Sequence, residues 1–174
     1  VGKAFGIIKF VPEGATEEID ISVPRIDSKS TGKGHKDFEV KLGKGITLTQ
    51  DQLRRDFWMN AMARDVETGE IHDIDNKGRT DIENQEIRVI GSRAFREDPL
   101  RMLRAVQFAA RFDFKIESET MKQIKRNVNL IKTVSPERFQ EEFKKMFEKG
   151  TPSIGVDLLK ETGILKKLFP KAKG

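Results

Sequence analysis

Cysteine is absent from the 174 residues, which excludes a disulfide framework and a Cys-based zinc site. Histidine is scarce, and His35 and His72 lie too far apart to form a metal-ligand spacing. No apolar run approaches the ~20 residues of a membrane span, and no signal peptide opens the chain; a cytoplasmic protein with no membrane partner is the expectation. What is present is 36% hydrophobic and 35% charged residues, a balance that suits a helix-rich soluble protein and is too apolar for disorder. The length gives room for one good-sized domain or two small ones. The net charge of +5 is concentrated at one end, where eight lysines face three acidic residues between Lys144 and Gly174. Such an end suits contact with a polyanion such as RNA, and it equally suits plain solubility.

The first quarter reads as sheet. Ala4 to Val11 is a β-branched and aromatic run closed by Pro12 and Gly14, and Glu18 to Val23 alternates strictly, with Ile19, Ile21 and Val23 on one face and Asp20 on the other. Two strands are marginal alone, so a missing segment or a partner chain is expected beside them. Asp27 to Lys36 reads as a polar loop. From an N-cap at Thr49 the pattern is helical, with Leu53, Phe57 and Ala61 at four-residue spacing. Short strands and turns at Thr68-Gly69 and Asn76-Lys77-Gly78 lead to Ile90. Beyond it the chain reads as helices: Asp98-Pro99 opens one to about Phe112, Ser118–Val128 forms another, Ser135-Pro136 opens a third to about Glu148, and Ile154–Phe169 forms the last. The boundary between sheet and helical modules falls near residue 92.

Three segments stand out from generic helix surface: Arg54-Arg55-Asp56-Phe57-Trp58-Met59-Asn60-Ala61, Glu97-Asp98-Pro99-Leu100-Arg101-Met102-Leu103-Arg104, and Ser135-Pro136-Glu137-Arg138-Phe139 with Glu141 and Glu142. In this order they resemble the class II tRNA nucleotidyltransferases and the related bacterial poly(A) polymerases, matching the patterns RRDFxxNA and EDxLRxLR. Asp73 to Ile82 resembles the family's DxxGGxxDL segment, with Arg79 where a second glycine is usual. The resemblance runs from about Phe5 to Phe147.

The resemblance implies an α+β fold: residues 1–92 as the distal part of a nucleotidyltransferase head with a small mixed or antiparallel sheet, and residues 93–174 as an all-helical, nucleotide-selecting neck. It implies an enzyme that adds CMP and AMP from CTP and ATP to a tRNA 3′ CCA end. An ATP-only poly(A) polymerase and a non-catalytic nucleotide- or RNA-binding subunit are the alternatives. The implied partners are CTP, ATP and the 3′ end of tRNA or another RNA. Nucleotidyl transfer generally uses Mg²⁺ held by clustered carboxylates. Asp20 matches the family's third acidic position, making it the catalytic and metal-binding candidate. The motif for the two earlier aspartates precedes anything in this sequence, so a chain inactive alone is expected, completed by a missing segment or a second chain.

The residues themselves carry a selection chemistry. Asp98 and Arg101 sit three apart at a helix start and so share a face. A carboxylate only accepts hydrogen bonds and a guanidinium only donates. Cytosine and adenine present an amino donor beside a ring-nitrogen acceptor, whereas guanine and uracil present a carbonyl and a ring N–H. The pair therefore selects C and A against G and U; as a bare pattern it is also an N-cap aspartate with an ion pair. Arg104 and Arg111 are nearly aligned with Arg101, opposite an apolar stripe of Leu100, Leu103, Val106 and Ala110, and their forks suit triphosphate oxygens. Asp56 and Asn60, one helical turn apart, suit ribose hydroxyls, and Arg55 can reach a phosphate. Phe57 and Trp58 read as core. Ser135, Glu137, Arg138 and Glu142 match the family's last helical motif, and the resemblance implies a buried hydrogen-bonded network that braces Asp98 and Arg101.

Overall fold

The computed structural model describes residues 7–27, 40–42 and 45–171. The expected strand's first residues, Ala4 to Gly6, and most of the expected polar loop lie outside them. The chain divides into two compact units, Val1–Arg54 and Arg55–Gly174.

In the first unit, β1 (Ile7–Phe10) and β2 (Ile19–Ser22) form an antiparallel hairpin. Ile8 faces Ile21, Phe10 faces Ile19, and Lys9 faces Asp20. The strict alternation thus puts Ile8, Phe10, Ile19 and Ile21 on one exposed apolar face. A second pair joins β3 (Arg25–Asp27) to β4 (Val40–Leu42). Helix α1 (Leu48–Leu53) is capped by Thr47 and not by Thr49. The Thr47 hydroxyl accepts from Gln50 N–H while the Gln50 side chain accepts from Thr47 N–H, a capping box that satisfies two orphan donors at once.

The helix expected to carry Phe57 and Ala61 stops at Leu53. Phe57 is extended and bridges Val89 in antiparallel fashion, with Trp58 N–H on Arg88 C=O and Ile90 N–H on Asp56 C=O. A 3₁₀ turn covers Trp58–Asn60. The four-residue spacing was hydrophobic for another reason: Phe57 is fully buried and meets Phe108 edge-on at 5.9 Å, while Trp58 is half-buried with the Lys77 ammonium over its ring at 4.5 Å.

The hairpin β5 (Ala63–Arg64) and β6 (Ile71–His72) turns at Gly69. At Asn76-Lys77-Gly78, where a turn was expected, α2 (Lys77–Glu83) begins. Asp75 and Asn76 are left-handed, and the Asp73 carboxylate takes the N–H groups of Gly78 and Arg79 at 2.9 and 2.8 Å. Glycine is required at 78: a Cβ would lie 2.5 Å from Met62 Cγ and 2.8 Å from Trp58 O. Strand β7 (Glu86–Ile87) pairs in parallel with β8 (Lys115–Ile116).

Helices α3 (Ala94–Glu97) and α4 (Leu100–Phe112) are separated by extended Asp98. Leu100, Leu103, Val106 and Ala110 are buried as expected, but so are Met102, Ala105, Gln107 and Ala109, so α4 is the central helix of this unit. Helices α6 (Pro136–Lys149) and α7 (Pro152–Glu161) pack against it, α5 (Ser118–Asn127) packs on α3, and α8 (Ile164–Leu168) packs on α7. The single last helix of the sequence reading is broken by Gly163, whose φ of 78° falls in the left-handed region that glycine occupies without strain. No helix among the described residues is long and apolar enough to cross a membrane.

Candidate functional site

The second motif enters the structure as a bend. Asp98 sits between α3 and α4 in extended conformation, and its Oδ1 accepts from Leu100 N–H at 3.2 Å, which is the capping role its sequence suggests. Its charge partner is not Arg101. Arg138 of α6 grips the carboxylate with both forks, NH1 to Oδ1 at 3.2 Å and NH2 to Oδ2 at 2.9 Å. Arg101 follows on the first turn of α4, half-buried, its backbone N–H on the Asp98 carbonyl.

The first motif supplies a second knot. Asp56 is buried; Arg104 Nε donates to its Oδ2 at 2.8 Å, and Arg104 NH2 lies 2.7 Å from the same oxygen as an ion pair. Arg104 also reaches Glu142 Oε1 with NH1 at 3.3 Å and lies over the Phe108 ring at 5.1 Å. Burial works against the Arg104 charge, but Asp56 and Glu142 outweigh it and hold the cation above its ordinary range. Lys145 closes the series on Glu142 at 2.9 Å. Arg104, read from sequence as a phosphate ligand, is thus engaged between two carboxylates. Asp56 Oδ1 takes the N–H of Phe57 at 2.9 Å and Nδ2 of Asn60 at 3.1 Å. The two residues meet across a 3₁₀ turn instead of along a helix face.

The remaining candidates are more open. Arg55 is exposed, with NH1 on Asn60 C=O at 3.2 Å. Arg111 is exposed at the end of α4 over the Phe112 ring. The brace reading divides: Arg138 and Glu142 do hold site residues, but Glu142 holds Arg104, while Ser135 and Glu137 are exposed and the Ser135 hydroxyl makes no capping bond. Asp20, in the first unit, is exposed and lies 3.2 Å from Lys9 Nζ, which also pairs with Glu18. Among the described residues no three acidic or histidine side chains group as metal ligands. Two carboxylates neutralised by a shared ammonium do not make a divalent-cation site by themselves.

One buried acid escaped the sequence reading. Asp81 on α2 is fully buried, 2.8 Å from Arg88 NH2, but neither carboxylate oxygen makes an aligned hydrogen bond. Burial pushes its carboxyl up to about 6, opposed by Arg88 and reinforced by Glu86, Glu117 and Asp73. The folded state then holds this proton more tightly than the unfolded chain, where an aspartate titrates near ~3.9. The resulting stabilisation is complete below that value and is lost as pH rises through about 6. Asp81→Asn is expected to flatten this dependence and to leave stability near pH ~7.5 unchanged or raised by up to ~2 kcal/mol. Urea melts across that range check it, and a loss above ~1 kcal/mol near pH ~7.5 means the Arg88 pair dominates.

A small-sheet unit followed by a helical unit, with clustered arginine–carboxylate pairs at the start of the central helix, is the architecture of a nucleotidyltransferase head and neck. The poly A polymerase head domain matches residues 1–88, and the probable RNA and SrmB-binding site of polymerase A matches residues 113–173. The chain belongs to the poly(A) polymerase head-domain family. It is 38% identical over 148 residues to the multifunctional CCA protein of Thioalkalivibrio sulfidiphilus, covering 82% of this chain and 36% of the relative. With the multifunctional CCA protein of Nitrosomonas europaea it shares 40% identity over 145 residues, covering 82% and 34%. Among solved structures, the Bacillus stearothermophilus CCA-adding enzyme in complex with CTP superposes with a TM-score of 0.80 at 32% identity, over 94% of this chain and 38% of that one. The Thermotoga maritima CCA-adding enzyme complexed with tRNA gives 0.78 at 28% identity, over 99% and 38%. The chain thus spans well under half the length of these relatives.

Proposed function

We propose that this chain is the nucleotide-selecting part of a tRNA nucleotidyltransferase that transfers CMP and AMP from CTP and ATP to a tRNA 3′ end. The observation that carries this reading is the state of the Asp98 carboxylate. Oδ1 has two donors and Oδ2 one, so an acceptor position remains for the amino group of cytosine or adenine. Arg101, one helical turn on, supplies the donor for the ring nitrogen. A carbonyl and a ring N–H in those places would meet an acceptor and a donor of the wrong kind. Residues up to about 92 serve as head and 93–174 as neck. Asp56 and Asn60 form the sugar site. Arg55 and Arg111 are the exposed cations offered to the triphosphate, with Arg104 contributing its charge beside them.

RNA engagement falls to the lysine-rich residues from Lys144 onward, in keeping with the family description of residues 113–173. Mg²⁺ is the implied cofactor. It would supply activation of the attacking hydroxyl and charge neutralisation, and Asp20 is the carboxylate this chain offers it, once Lys9 is displaced. The other ligands would come from outside the described residues, on a further segment or a second chain. A cytoplasmic location goes with a tRNA substrate.

Titrating the single tryptophan, Trp58, with the four ribonucleotides tests the reading. CTP and ATP should bind comparably, with UTP and GTP at least ~5-fold weaker, as each base contact is worth ~1–3 kcal/mol. A response to ATP alone points to a poly(A) polymerase. Equal binding of all four overturns base selection and leaves a non-selective RNA-binding subunit.

A further inference from the structure

We infer that Thr120 is a positioning residue for the first motif: its hydroxyl, directed by Glu117, fixes the Arg88–Ile90 segment against which Asp56–Trp58 is laid. This rests on the reading of the first motif as part of the nucleotide site.

The chain from Glu86 to Ile90 runs between two others. On one side Phe57 bridges Val89, with Trp58 N–H on Arg88 C=O at 3.1 Å and Ile90 N–H on Asp56 C=O at 3.0 Å. On the other side lies β8, with Lys115 N–H on Gln85 C=O and Glu117 N–H on Ile87 C=O. That ladder stops early, because β8 ends at Ile116 and Glu117 turns the chain into α5. Val89 is 6% exposed, and a buried N–H without an acceptor is costly. The Thr120 hydroxyl stands in for the missing strand, accepting from Val89 N–H at 3.1 Å across 31 residues of sequence.

A hydroxyl can rotate, and its neighbour sets its direction here. The Glu117 carboxylate only accepts. Its Oε2 takes the Thr120 hydroxyl at 2.9 Å and the Thr120 N–H at 2.8 Å, while Oε1 takes Glu119 N–H at 2.9 Å. With its proton committed to Glu117, Thr120 must present a lone pair to Val89. Burial pushes the Glu117 carboxyl up, but these N–H and O–H donors outweigh it and hold it below its ordinary range. Thr162 provides the contrast. It is as buried as Thr120, yet its hydroxyl bonds back onto α7, to Leu158 and Leu159 C=O at 2.7 and 3.2 Å.

Calorimetric titration with CTP and UTP, together with the Trp58 emission spectrum, tests this in Thr120→Val, Thr120→Ser and Thr162→Val. Circular dichroism fixes a temperature at which each variant is folded. Thr120→Val should weaken both nucleotides by about 5-fold, the worth of one neutral hydrogen bond, and shift the Trp58 emission. Thr120→Ser, which keeps the hydroxyl, should restore both readouts. Thr162→Val should lower the melting temperature and leave both unchanged. A Thr120→Val chain that melts earlier but keeps its affinity and emission overturns the inference, as does an equal loss of affinity in Thr162→Val. If Thr120→Val does not fold, Glu117→Gln takes its place. The hydroxyl then loses its enforced direction, so the same emission shift and a smaller weakening are expected, and unchanged readouts overturn the inference. The CTP/UTP ratio of the unaltered chain separates this from the proposed function. Equal binding of the two there ends base selection alone; a preserved ratio with Thr120→Val unchanged ends this inference alone.

Discussion

Replacing Arg104 with alanine is expected to destabilise the Arg55–Gly174 unit by about 3 kcal/mol, at the lower end of what breaking a buried ion pair costs. The substitution removes one cation from between two carboxylates whose side chains are 10% and 4% exposed. Lys145 still reaches Glu142, but Asp56 keeps only Phe57 N–H and Asn60 Nδ2. The damage is therefore an uncompensated buried charge, not merely a lost attraction. At the scale of a 150–250-residue protein, ~3 kcal/mol lowers the melting temperature by roughly 6–12 °C. The double variant Asp56→Asn with Arg104→Ala should recover part of the loss, because the orphaned charge goes with its partner. Thermal melts followed by circular dichroism decide the matter. A drop below ~1 kcal/mol would place the pair with ordinary surface salt bridges.

Asp98→Ala should act on selectivity more than on stability. Truncation frees Arg138, whose side chain is 31% exposed and can be hydrated where it stands. At the base, the acceptor for the exocyclic amino group is gone while Arg101 remains. CTP and ATP should each bind roughly 5- to 100-fold more weakly, the range of a lost contact of ~1–3 kcal/mol. UTP and GTP, which present a carbonyl there, should bind no worse and even gain from relief of acceptor–acceptor repulsion. The discriminating quantity is the CTP/UTP ratio of dissociation constants, measured by Trp58 fluorescence. A ratio that survives Asp98→Ala would remove Asp98 from base selection.

The legibility of this chain follows sequence separation. Pro136 is a local signal and the helix it opens stands in the structure, whereas the Gly163 break and the Thr47/Gln50 capping box are local signals that the expected Ile154–Phe169 helix and Thr49 cap pass over. The hairpin alternation from Glu18 to Val23 holds in register against β1. The stop at Leu53 was hidden, because Phe57 and Ala61 keep helical spacing while being buried through an antiparallel bridge to Val89 and an edge contact to Phe108. The arginine–carboxylate pairs that organise the site each span a long stretch of chain: Asp56 to Arg104 over 48 residues, Asp98 to Arg138 over 40, Arg104 to Glu142 over 38. Residue chemistry named the participants, but no spacing rule pairs residues so far apart. The Arg104 partner of Asp56 and the Glu142 partner of Arg104 are therefore not readable from spacing. Asp81 was missed for the same reason, since its burial is tertiary and its segment reads as a turn.

The measurement that tests the central claim most directly is a crystal structure of the chain with CTP bound. The account predicts the cytosine edge against the start of α4, with its amino group at hydrogen-bond distance, ~2.7–3.2 Å, from the Asp98 carboxylate and its ring N3 at the same distance from the Arg101 guanidinium. A well-ordered CTP whose base makes neither contact would contradict it.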